Sequence, residues 1–121
     1  DNNDLSLTRV KYNKNTFLSL DANIYIQRKV NKIFPNDIEL HNFIKERIIG
    51  NCLYHLQNLC FKTNANLDQD GAMKRKSKQI YNDNFIFFKN PSAFKTVIRL
   101  LNISWLKYFY HFHISFRKQD L

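Results

Sequence analysis

Lys74, Arg75, Lys76 and Lys78 form the densest positive cluster in the chain. Cations spaced this closely thread among phosphates and release condensed counterions, which supplies affinity for a polyanion without reading its sequence. The plainer reading of the same residues is a solvated charge run. Tyr12, Tyr25, Tyr81 and the aromatic stretch 108–112 offer faces on which unpaired bases stack, as recognition of single-stranded RNA requires. Arg28 and Lys29, with Arg117 and Lys118, are further phosphate-contact candidates.

Other chemistry has less to stand on. His111 and His113 would share one face of a strand, and neutral imidazoles suit zinc or copper, but no third ligand lies near them in sequence. Cys52, Cys60, His41 and His55 are spaced like no zinc signature. With only two glycines, the chain has no phosphate-cradling loop, and it carries no dinucleotide fingerprint, nucleophile elbow or paired-histidine metalloprotease motif. The carboxylates Glu39, Glu46, Asp68, Asp70 and Asp83 are scattered. The expectation is a protein that is not an enzyme, with no cofactor, no metal and no small-molecule substrate. Asn102, Ile103 and Ser104 spell a glycosylation sequon, which an Asn-rich chain produces by chance.

The composition agrees with an acidic partner. Nineteen Lys and Arg against ten Asp and Glu leave a net charge of +9, for which nucleic acid is the commonest explanation and an anionic membrane surface the second. A chain of 121 residues suits one domain. The longest uncharged run, 48–61, is shorter than a bilayer span and contains Asn51, His55, Gln57 and Asn58, so no transmembrane segment is expected. Sixteen Asn, twelve Ile and thirteen Lys beside two Gly and two Pro indicate AT-rich codons, as in an organelle or an AT-rich nucleus. The start at Asp1 fits a processed or truncated product.

The elements that must position these residues read as a mixture. Residues 1–20 are polar, with short alternating stretches that suit a weak hairpin, and are taken as an N-terminal extension to a single domain over 21–121. Residues 24–30 read as a first strand with basic side chains along one face. Pro35, Asn36 and Asp37 start a helix in which Ile38, Phe43, Ile44, Ile48 and Ile49 recur at helical spacing. Residues 52–62 fit either a continued helix or a strand. If they are helical, Cys52 and Cys60 are about 12 Å apart along the axis and stay free thiols. The cations 74–78 are expected on a loop after the turn-rich 63–71. A buried strand over 85–88, a helix from Ser92 and a strand from Tyr110 with period two complete the order. The whole predicts an α+β sandwich with two helices on one face of a mixed sheet.

Lys76-Ser77-Lys78-Gln79-Ile80-Tyr81, Asn90-Pro91-Ser92, Lys95-Thr96-Val97 and the closing Ile114-Ser115-Phe116 resemble, in order, motifs of ribosomal protein S-ten of the small subunit. Residues 24–30 with the following helix, and Leu59-Cys60-Phe61-Lys62-Thr63, resemble that family's first strand and helix and its second strand. The resemblance departs from the family pattern at Thr63-Asn64-Ala65, at Phe34-Pro35-Asn36 and around Tyr108. It implies a ferredoxin-like fold with a long basic loop, and a structural role in binding ribosomal RNA beside neighbouring small-subunit proteins. A mitochondrial ribosome is the expected location. The competing expectations are a secreted, cytokine-like helical bundle or effector that binds a protein partner, in which Cys52 is disulfide-bonded, and an accessory subunit of a respiratory membrane complex.

Overall fold

The computed structural model describes residues 12–60, 67–68, 70–85 and 92–112, and every regular element among them is helical. α1 spans Lys14–Ile33, α2 Ile38–Cys60, α3 Ala72–Phe85 and α4 Ala93–Leu100. A 3₁₀ turn, Ile103–Trp105, leads into a last helical stretch, 106–112, called α5. The expected α+β ferredoxin-like sandwich, with its mixed sheet and long basic loop, is thus corrected to a bundle of helices.

Short polar side chains set where the helices begin. Asn13 Oδ1 accepts from Thr16 N at 3.0 Å while Thr16 Oγ1 accepts from Asn13 N at 3.3 Å, a reciprocal box that satisfies two otherwise orphaned donors. Pro35 and Asn36 turn the chain, and Asp37 Oδ1 then accepts from Leu40 N at 3.0 Å to open α2. Asp68 opens α3, its two carboxylate oxygens accepting from Met73 N at 2.9 Å and Lys74 N at 3.0 Å. Gly71 beside it has φ +74°, a left-handed conformation in which a side chain is strained. Ser92 and Asn102 play the same capping part for α4 and the 3₁₀ turn.

α2 is the central helix, packed on one side by α3 and on another by α1. Ile44, Ile48, Ile49, Cys52, Leu56, Leu59 and Cys60 are buried along it and meet Phe17 and Leu20 of α1, Tyr81 and Phe85 of α3, Ile98 of α4, and Leu106 and Tyr110 of α5. Each fully buried aliphatic side chain in this set contributes about 1.5–3 kcal/mol relative to an exposed one.

The strands fail for a physical reason that the burial pattern makes visible. In a strand Ile24 and Ile26 would share a face. Here Ile24 packs against the core and Ile26 is exposed, as a helical turn requires. Residues 16–20, expected in a hairpin, form the first turns of α1. Leu59 and Cys60 of the second strand implied by the resemblance belong instead to the helical continuation over 52–60; 61–63 lie outside the described residues. Phe85 ends α3, while 86–88 lie outside the described residues. Tyr110 is buried and Phe112 exposed, which contradicts the alternation expected of a last strand; 113–117 lie outside the described residues. The helices expected from Asn36 and from Ser92 are present.

Candidate functional site

Winding 74–78 into α3 disperses the four cations, because each successive residue turns about 100° around the axis. The basic loop is therefore corrected to a basic helix whose cations meet three different surroundings. Lys74 lies near enough to Cys60 to act on its thiol. Lys76 turns toward α1, where its Nζ donates to Asp21 Oδ1 at 2.5 Å. Arg75 and Lys78, three apart, share a third face with Asn82.

That third face lines a cleft of about 600 Å³ between α3 and the end of α4, whose opposite wall is Arg99, Leu100, Leu101, Asn102 and Ile103. Lys78 is only 8% exposed. Its Nζ donates to Arg99 O at 2.6 Å and to Asn82 Oδ1 at 3.2 Å. Burial, reinforced by the Arg99 charge, holds its ammonium below the ordinary lysine range. Arg75 Nη1 donates to Asp70 O at 2.9 Å, which fixes the guanidinium at the cleft's edge. The Arg99 guanidinium carbon sits 5.0 Å from the centroid of Phe85. Three cations against the single carboxylate of Asp83 make this cleft the described cavity best suited to an anion.

A wider groove of about 950 Å³ runs where α1, α2 and α3 meet, lined by Arg28, Lys45, Lys76 and His41 and also by Asp21 and Asp83. Gln27 Nε2 donates to Asn84 Oδ1 across it at 2.8 Å. Burial lowers Lys45 from the ordinary lysine range. With Lys76 already paired to Asp21, this groove holds less uncompensated positive charge than the cleft. Lys29 is exposed, its Nζ 5.5 Å from the Tyr25 ring centroid. Arg117 and Lys118 lie outside the described residues. The structure thus brings Arg75 and Lys78 together, places Lys76 with Arg28, and sets Lys74 and Lys29 apart from both. Arg99, Asn82 and Lys45 were missing from the sequence-based set; Arg99 stands 21 residues from the carbonyl's donor Lys78, a separation that no local spacing reveals.

The histidines and cysteines have structural partners. His41 Nε2 hydrogen-bonds Phe34 O at 2.7 Å, closing the turn between α1 and α2. His55 is fully buried, with Tyr12 OH 2.8 Å from Nδ1, and Ser19 Oγ and Asn51 Oδ1 each 3.2 Å from Nε2. A serine against a histidine nitrogen suggests a nucleophile and its base, but the bonding order opposes that chemistry. Asn51 Oδ1 can only accept, so Nε2 carries the imidazole's proton toward it, and Nδ1 accepts from the Tyr12 O–H. Asn51 Nδ2 also donates to Ser19 Oγ at 3.2 Å. Ser19 therefore finds no free lone pair on His55 to take its proton. Burial lowers the His55 pKa to about 4 and pushes the Cys52 and Cys60 thiols up to about 12 and about 11, which leaves all three groups neutral. Among the described residues no three His, Cys, Asp or Glu side chains are grouped to hold a metal ion.

The arrangement can bind an anion electrostatically. No protein-family model, curated protein or solved structure matches this chain.

Proposed function

We propose that this chain is a non-catalytic RNA-binding protein in which Arg75 and Arg99 engage the phosphate backbone at the cleft between α3 and α4, above the buried ammonium of Lys78. The observation that carries this reading is the convergence of three cations on one cleft in a chain of net charge +9. Arg28, Lys45 and Lys76 in the neighbouring groove extend the same positive surface. The setting we propose is the small ribosomal subunit, in a mitochondrion. It rests on the residue resemblance described above and on charge, since the sheet that the family would bring is absent from the described residues. Neighbouring small-subunit proteins are the protein partners of that setting.

The test is a titration of the purified full chain with a fluorescent single-stranded RNA across a range of salt concentrations. Neutralising two cleft cations in Arg75→Gln/Arg99→Gln should weaken binding and flatten the salt dependence by roughly one to two charges. An unchanged affinity and slope would remove the cleft from the mechanism.

A second reading, a helical-bundle protein acting on a protein partner outside the cell, is supported by the all-helical architecture. It requires a disulfide at Cys52. Cys52 and Cys60 are both buried free thiols on α2, which supports the RNA-binding reading over this one.

A further inference from the structure

α1 buries one side against α2 and leaves the opposite side bare. Leu18, Ala22, Tyr25, Lys29 and Ile33 recur every three or four residues, so they lie along one line of the helix, with Ile26 beside it. Leu18 is 55% exposed, Tyr25 61% and Ile33 61%, an apolar stripe along a helix about 30 Å long. Its charged neighbours have one sign. Lys14, Lys29 and Lys32 are exposed on the same side, and the helix's one carboxylate, Asp21, is held by Lys76. The next acids in sequence, Asp37 and Glu39, belong to the entry of α2, where Asp37 accepts from Leu40 N.

Three kinds of occupant meet this face differently. A nucleic acid would suit the lysines and could stack one base on Tyr25, whose ring Lys29 already approaches at 5.5 Å, but it would leave the aliphatic Leu18, Ile26 and Ile33 without an apolar partner. A second copy of the chain would set Lys14, Lys29 and Lys32 against like charges in a protein of net charge +9. A bilayer surface with anionic headgroups satisfies both halves of the pattern. The aliphatic side chains enter the boundary between headgroups and acyl chains, and the lysine stems reach back to the lipid phosphates. No helix among the described residues is long and apolar enough to cross a membrane, so α1 would lie along the surface. We propose that the outer face of α1 docks the protein onto an anionic phospholipid bilayer, through Leu18, Ile26 and Ile33 as the inserted residues and Lys14, Lys29 and Lys32 as the headgroup contacts. This face is separate from the cleft between α3 and α4 and does not depend on the RNA-binding reading.

The experiment is co-sedimentation of the full chain with phosphatidylcholine vesicles prepared with and without phosphatidylglycerol. Binding is expected to the anionic vesicles and not to pure phosphatidylcholine. Lys29→Gln and Lys32→Gln should each weaken partitioning about fivefold, and Ile33→Ser about tenfold. Lys107→Gln, a cation on α5, should leave it unchanged within twofold. All substituted positions are exposed, and circular dichroism of each variant checks that the helices persist. Equal losses for Lys107→Gln and the α1 lysines would overturn the proposal in favour of diffuse charge attraction. No partitioning, or a concentration-dependent dimer in sedimentation velocity that Ile33→Ser abolishes, would overturn it in favour of a protein partner or a second copy.

Discussion

Among single residues, His55 carries the most consequence for stability. Its imidazole is neutral in the folded protein because burial disfavours the charged ring, lowering its pKa from 6.5 to about 4. A depressed histidine contributes stability that is fully present above its unfolded pKa and is lost as pH falls through the folded one, since the unfolded chain binds the proton first. The protein should therefore lose up to about 3 kcal/mol between roughly pH 6.5 and pH 4, read as a falling urea midpoint that Tyr12→Phe shifts further. A midpoint that stays flat over that window would contradict the network. The spacing of His55 from His41, Cys52 and Cys60 matches no zinc signature, which is enough to doubt a metal site, but its partners Tyr12 and Ser19 lie 43 and 36 residues away. Separations of that size are outside the reach of local spacing. Ser77 Oγ and Tyr110 OH are buried without a hydrogen-bond partner among the described residues, a feature equally invisible in sequence.

At the level of elements, α2 was legible because Ile38, Phe43, Ile44, Ile48 and Ile49 recur at helical spacing, though only Ile44, Ile48 and Ile49 are buried while Ile38 and Phe43 are exposed. α1 was not, since Ile24, Tyr25 and Ile26 are residues that strands favour, a preference overridden by the Asn13–Thr16 box that starts the helix and by the packing of Phe17, Leu20 and Ile24 into the core. α3 was hidden by its own polarity. Gly71 and four cations suggest a loop, yet Lys, Arg, Gln and Met are good helix formers once something starts the helix. Asp68 is that start, nearly buried and bonded to two backbone N–H groups. Asp68→Ala should cost about 1–2 kcal/mol, lowering Tm by several degrees with a partial loss of helical ellipticity, and displacing Arg75 and Lys78 from the cleft. A variant with unaltered Tm and ellipticity would show that α3 stands without this cap. The candidate site follows the same division: Lys78 and Arg75 were visible as charges, whereas their convergence with Arg99 depends on how α4 folds back on α3.

For the molecule as a whole, charge is the property that sequence and structure share most directly. The cations among the described residues are spread over a helical bundle and leave a cleft of three on one side and a lysine-flanked apolar stripe on α1. Both surfaces favour polyanions, and the bundle holds them on different helices. Among the described residues the sheet implied by the resemblance to ribosomal protein S-ten is replaced by helices, so the proposed function rests on electrostatics and on the residue resemblance, not on a shared architecture. The most direct test of its central claim is sedimentation of a native lysate through a density gradient, following this chain against small-subunit RNA before and after ribonuclease treatment. The account predicts co-migration with that RNA and its loss on digestion. A chain that stays at the top of the gradient, indifferent to ribonuclease, would contradict it.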